Sequence, residues 1–84
     1  MLELYQAEGC PYCKTVRETL TELGVSYVAH NPRTASGDER NTQTHAELTT
    51  IGGEDQIPFL VDTDREVTLY ESEDIVDYLN EHYA

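Results

Sequence analysis

Positive charge is scarce in this chain. Five Lys and Arg, among which Lys14 is the sole lysine, stand against 17 Asp and Glu, for a formal net charge of -12 over 84 residues. Such a balance argues against DNA, RNA or an anionic membrane as partner, since each brings more negative charge. Long apolar runs are missing as well, and nothing approaches the ~18 residues that a membrane helix needs. The start, Met1-Leu2-Glu3-Leu4-Tyr5, has neither a basic segment nor an apolar h-region. No secretory signal is read there, and a cytoplasmic location is expected. Cysteine is limited to Cys10 and Cys13, too few for a disulfide scaffold. In a reducing cytoplasm a bond between them is transient and chemical rather than structural. Leu, Ile, Val and Phe number 18 of the 84 residues, close to the roughly 20% below which a highly charged chain stays disordered. The fold has to be read from pattern.

The acids run from Glu3 to Glu81 without gathering into a tail. Dispersed acidity with little lysine is the surface of proteins from very salty cytoplasms, where counter-ions screen self-repulsion. An ordinary acidic domain is the other reading.

The length fits one domain, residues 1–84, and no repeat, linker or low-complexity segment divides it. Leu2 to Ala7 alternates as a strand, with Leu2 and Leu4 on one face and Tyr5 and Ala7 on the other. After Glu8-Gly9, Cys10-Pro11 opens a helix, because the first helical position has no use for the N–H that proline lacks. Val16, Leu20 and Leu23 give it one apolar stripe, and Gly24 ends it. A short run at Tyr27-Val28-Ala29 predicts a second strand, parallel to the first through a right-handed crossover. Asn31 to Gly37 is a polar loop, Asp38 to Thr50 a weak helix closed by Gly52-Gly53. Pro58 to Asp62 and Val67 to Glu71 predict an antiparallel pair around an Asp62-Thr63-Asp64 turn. Ser72 is expected to cap a last helix with Ile75, Val76, Leu79 and Tyr83 inward and Glu73, Asp74, Asp77 and Glu81 in water. The order is βαβαββα, an α/β fold.

Cys10-Pro11-Tyr12-Cys13 carries the chemistry. At a helix start, free amides and the positive end of the helix dipole favour a thiolate at Cys10, while Cys13 lies one turn deeper. A nucleophile and a resolving thiol at that spacing are what thiol–disulfide exchange requires. Half of a zinc site is the other reading of Cys-x2-Cys. It lacks partners: His30, His45 and His82 form no His-x3-5-His pair and are expected to be solvated surface residues. The Asp62-Asp64 turn and Asp77 show no calcium-loop spacing, and no metal is expected.

Cys-Pro-Tyr-Cys after a first strand, in a chain of this order, resembles the dithiol glutaredoxins, whose fold is the thioredoxin fold with a four-stranded mixed sheet flanked by helices. Ile57-Pro58 is similar to that family's second hallmark, a cis-proline before the third strand and beside the active cysteine. A strand-opening proline of no such kind is the plainer reading. The resemblance implies that the Ile57 backbone pairs with the cysteinyl part of a bound thiol, as an added strand does, and that Tyr12 lies along that thiol.

Tyr70-Glu71-Ser72-Glu73-Asp74, with Ile75 and Tyr78-Leu79 behind it, departs from common glutaredoxins. It resembles the Glu-Ser-x-x-Ile-x-x-Tyr-Leu of the glutathione-transferase N-terminal domain. In both families this corner holds the γ-glutamyl end of the thiol. Helix-start N–H groups would take its carboxylate and Glu71 its ammonium; a plain Ser72 cap is the bland alternative. A second departure is upstream of the cysteines. Glutaredoxins carry a Lys there that meets the glycine carboxylate of glutathione, whereas Gln6-Ala7-Glu8-Gly9 offers an acid and no base. Only Lys14, Arg17 and Arg40 could bring positive charge nearby, so γ-glutamylcysteine suits the site as well as glutathione does.

The resemblance therefore implies a glutaredoxin-like thiol–disulfide oxidoreductase with Cys10 as nucleophile and Cys13 resolving. No cofactor is expected to be tightly bound, and glutathione or γ-glutamylcysteine is the expected co-substrate. The expected partners are that low-molecular-weight thiol and disulfide-containing or S-thiolated proteins, with a thioredoxin-type reductase as a further candidate. The chain is expected to act as a monomer. Three rivals stay open: a redoxin fed by thioredoxin reductase, an iron–sulfur cluster carrier, which Pro11 disfavours, and a non-catalytic thiol-binding module.

Overall fold

Alternation along the first strand divides the molecule. In the computed structural model, which describes residues 1–84, Leu2–Tyr5 forms strand β1. Its Leu2 and Leu4 enter a cluster with Val16, Leu20, Leu60, Ile75 and Leu79. Tyr5, and Ala7 beyond the strand, enter a second cluster with Cys10, Cys13, Leu48, Ile57 and Phe59. A period of two sends neighbouring side chains to opposite faces, so one short strand feeds both cores.

Helix α1, Pro11–Leu23, begins and ends where proline and glycine predict. Cys10 is its N-cap and Pro11 its first residue. Gly24 takes the left-handed conformation at φ 68°, and its N–H bonds back to Leu20 and Thr21 carbonyls. Val16 and Leu20 are fully buried, on the face that packs against the last helix. The chain returns as β2, Val28–His30, parallel to β1 with Leu4 beside Ala29. Strand β2 is a largely exposed edge, one residue later than its sequence signal.

The next helix differs from expectation. Helix α2 is Thr42–Gly52, not Asp38 to Thr50. Residues 34–38 close on themselves instead: the Thr34 N–H bonds the Asp38 carbonyl at 2.8 Å, and the Asp38 N–H bonds Thr34 Oγ1 at 3.0 Å. The Asp38 carbonyl that would have opened the helical ladder is thus taken, and Asn41 caps the helix with Oδ1 accepting from the Thr44 N–H at 2.9 Å. Leu48 alone is buried in α2, and Ile51 is half exposed.

Strands β3, Phe59–Asp62, and β4, Val67–Leu69, form the expected antiparallel pair, β4 stopping two residues early. The mixed sheet has the order β2-β1-β3-β4, with β3 antiparallel to β1. Helix α3, Ser72–Tyr83, closes the chain. Ser72 is its first residue and not its cap. Glu71 holds that position at φ 62°, ψ 116°, with no side-chain cap bond. A non-glycine residue rarely adopts a positive φ.

Along β3 the faces alternate again, Phe59 to the second cluster and Leu60 to the first. Asp62, read from sequence as the start of a turn, is fully buried. Its Oδ2 accepts from the hydroxyls of Tyr78 at 2.6 Å and Tyr83 at 2.8 Å and from Arg65 Nη1 at 3.3 Å. Oδ1 accepts from the Asp64 N–H at 3.1 Å. Burial works against ionisation here, but these donors prevail and hold the carboxyl at about 2, below its ordinary 3.8. No helix is long and apolar enough to cross a membrane.

Candidate functional site

Cys10 occupies the cap of α1, where its backbone is extended and its side chain meets the free amides of the first turn. Its Sγ accepts from the Cys13 N–H at 3.4 Å. The residue is 8% exposed, and Cys13 is wholly buried. Burial pushes the Cys13 thiol up to about 12, and the hydrogen bond with the Cys10 side chain adds to that; the Ala7 amide and the charge of Arg17 pull the other way. The two sulfurs are thus unequal: one at the rim of the fold, one protonated inside it.

Beside this turn lies a cleft of about 550 Å³, lined by Tyr12, Gln56, Ile57, Pro58, Glu71, Ser72, Glu73 and Asp74. It gathers Tyr12, Ile57, Pro58, Glu71 and Ser72 from three separate stretches of sequence. The Ile57-Pro58 bond is cis. Ile57 shares its apolar cluster with Cys10 and Cys13, which ties the cleft to the thiols. Tyr12 projects into it and is 65% exposed. At the opposite wall the first intrahelical bond of α3 is Ile75 N–H to the Glu71 carbonyl, at 3.0 Å. The amides of Ser72, Glu73 and Asp74 therefore have no helical partner.

Cys10 itself lines a smaller hollow of about 360 Å³ with Gly9, Pro11, Lys14 and Arg17. Glu8, expected as a bare acid, instead pairs with Arg17 at 3.4 Å. Arg17 Nη1 also donates to Gln6 Oε1 at 2.7 Å. Two residues of this neighbourhood escaped the sequence reading. Gln56 lines the cleft, its Nε2 donating to Glu71 Oε1 at 3.0 Å, and its place before Ile57-Pro58 was the available signal. Gln6 is 3% exposed, and its position on the Leu2–Leu4 side of the alternation marked it as a polar residue turned inward.

Two of the three histidines, His30 and His45, are half-buried rather than plain surface residues, and His82 is exposed. His30 stacks on Tyr5 with ring centroids 4.5 Å apart, and its Nε2 lies 2.8 Å from Glu3. His45 lies between Glu39 at 3.1 Å and Asp55 at 3.2 Å. His82 sits against Tyr78, their ring centroids 4.5 Å apart. No three His, Cys, Asp or Glu side chains are gathered as a metal site.

Fold and cleft now meet a known pattern. The family described as glutathione S-transferase, N-terminal domain, matches residues 4–84. The chain belongs to this family. No curated protein is detectably similar to it. Among solved structures, a diazinon-metabolizing glutathione S-transferase of the silkworm Bombyx mori is 25% identical, with TM-score 0.77, over 99% of this chain and 38% of that one. Glutathione S-transferase 1-6 of Anopheles dirus species B is 26% identical, TM-score 0.78, over 98% and 36%. Glutathione transferase E6 of Drosophila melanogaster is 25% identical, TM-score 0.80, over 100% and 36%. The chain spans little more than a third of the length of these proteins. As a transferase N-terminal domain it has the thioredoxin-like fold expected from sequence. The family is the one whose pattern Glu71-Ser72, Ile75 and Tyr78-Leu79 carry, rather than the one suggested by Cys-Pro-Tyr-Cys.

Proposed function

We propose that this transferase-family domain is a glutaredoxin-like thiol–disulfide oxidoreductase that uses a γ-glutamyl thiol as reductant. The observation that carries the reading is the unequal cysteine pair: Cys10 at a helix cap, its sulfur on the amide of Cys13, beside a cleft of ligand size. Cys10 as thiolate attacks one sulfur of a mixed or protein disulfide. A Cys10–substrate disulfide forms and the other sulfur leaves as a thiol. Cys13, or a second low-molecular-weight thiol, then displaces the substrate from Cys10. Two molecules of that thiol return the Cys10–Cys13 disulfide to dithiol and become a disulfide themselves, so electrons balance.

The cleft supports the choice of co-substrate. Unpartnered amides at the start of α3 suit a carboxylate, and Glu71 suits an ammonium. No cation lines the cleft, so nothing there rewards the extra glycine carboxylate of glutathione. On this reading γ-glutamylcysteine serves at least as well as glutathione. The family favours a second reading, a domain that binds the thiol without turning over disulfides.

The test is reduction of an S-thiolated protein by glutathione, by γ-glutamylcysteine and by a thioredoxin reductase in parallel. Cys10→Ser should abolish exchange. Cys13→Ser should keep reduction of mixed disulfides and lose that of protein disulfides. An active Cys10→Ser variant refutes the assignment, and thiol binding without turnover by the native chain favours the second reading.

A further inference from the structure

One cation close to the cysteines has no part in the scheme so far. Arg17 is embedded in a polar network that fastens the segment between β1 and α1. Asn31 Oδ1 accepts from Gln6 Nε2 at 2.5 Å, and Gln6 Oε1 accepts from Arg17 Nη1 at 2.7 Å. The same Nη1 reaches the Ala7 carbonyl at 3.4 Å and pairs with Glu8 at 3.4 Å. Only 22% of the Arg17 side chain is exposed, and Gln6 is 3% exposed. Three successive residues are thereby clamped to the second turn of α1. The middle one, Ala7, shares its apolar cluster with Cys13, and its amide lowers the Cys13 thiol. Arg17 also follows Cys13 by four residues, so the two are neighbours on one helix face.

We infer that Arg17 is a positioning residue for the resolving half of the exchange: it holds the Ala7 segment beside Cys13 and places a guanidinium one turn away. The inference rests on the thiol-exchange reading above and names a residue that this reading leaves out. The step it serves is specific. Cys13 gives up its proton, its sulfur attacks Cys10 Sγ, the bond from Cys10 to the substrate sulfur breaks, and the substrate departs as a thiol. The two cysteines lose the two electrons that the substrate disulfide gains. Cys13 must ionise only at that moment, inside a site that otherwise keeps it protonated.

The surroundings leave this task to few groups. The titratable side chains in or against the same cluster are Tyr5, Cys10 and Tyr70. Glu47 of α2 acts on Tyr5, and Lys14 and Glu8 stand at the rim of the Cys10 hollow. Burial raises Cys13, and Arg17 and the Ala7 amide are what lower it. An opposite charge favours a thiolate, by about tenfold at neutral pH when the two lie within ~4–6 Å. A more basic thiolate is a better nucleophile, which returns about threefold. Loss of the charge should thus slow resolution about threefold, and release of the clamped segment adds to it.

The experiment uses the reduced full chain and dipyridyl disulfide, an uncharged probe that releases one coloured thione when Cys10 attacks and a second when Cys13 resolves. Arg17→Met should lower the rate of the second phase relative to the first by about three- to tenfold and move its pH profile to the alkaline side. Arg17→Lys should recover part of the loss, and Arg17→Gln replaces Arg17→Met if that variant fails to fold. An unchanged ratio, or equal slowing of both phases, overturns the inference. A native chain that shows no second phase overturns the thiol-exchange reading, and this inference with it.

Discussion

Asp62 is the most informative residue to perturb for stability. It is fully buried and ionised, with four donors on its two oxygens. Its carboxyl is held at about 2 against an ordinary 3.8, which corresponds to about 2.5 kcal/mol of stability at neutral pH. The sign follows from linkage. A depressed folded-state value contributes fully above pH 4, and the contribution fades as pH falls toward 2. Asp62→Asn keeps the shape and removes the charge. Whichever way the new amide turns, its NH2 faces the Asp64 amide or the Arg65 guanidinium, so one donor loses its acceptor and the buried NH2 meets another donor. That costs about 1–3 kcal/mol, in agreement with the linkage figure. In a domain of this size the melting temperature should drop by roughly 10–20 °C. Urea unfolding of both proteins in 1 M KCl, where general charge repulsion is screened, gives the difference directly. It should be largest at pH 7 and shrink between pH 4 and pH 2, as the native carboxyl takes up its proton. A difference under about 0.5 kcal/mol at pH 7, or one that does not shrink in acid, would refute this account.

Other outcomes follow from the site and the surface. At pH 8, iodoacetamide should modify Cys10 and spare Cys13 in the folded chain, as mass spectrometry would show, because the Cys13 thiol is buried and raised to about 12; equal labelling would remove the inequality on which the mechanism stands. Glu71→Gly should relieve a positive φ and stabilise the fold by about 1 kcal/mol, while weakening use of the γ-glutamyl thiol about ten- to a hundredfold through the lost charged contact. Unchanged kinetics in that variant would mean the ammonium is bound elsewhere. Thermal stability should rise steeply with KCl from millimolar to molar concentrations, given a net charge of -12; a flat profile would mark an ordinary acidic domain.

What the sequence disclosed depended on how local its physics was. Pro11 and Gly24 set the limits of α1 because each acts on its own backbone. The alternation of Leu2, Leu4 and Tyr5 gave the two faces correctly, since period two needs no distant partner. Helix α2 starts later than its pattern suggests because the turn at Thr34–Asp38 takes the Asp38 carbonyl, a contest invisible to periodicity. Ser72 looked like a cap because serine usually is one, yet the chain leaves β4 through a left-handed Glu71 and puts the serine inside the helix. Burial of Asp62 depended on Tyr78 and Tyr83, 16 and 21 residues away. The clamp of Arg17 on Gln6 joined a helix to a strand end, and nothing in either segment announced it.

The two-faced sheet separates packing from the cysteines. On the side of α1 and α3, the Leu, Ile and Val side chains ask of a replacement only apolar character and about the right volume. Such positions accept any apolar side chain of similar volume, and the fold is kept at TM-scores of 0.77 to 0.80 with about a quarter of residues identical. The other side carries Cys10, Cys13, Ile57 and the approach to the cleft. A substitution there touches the cysteines or the cleft and leaves the packing of the helical side in place.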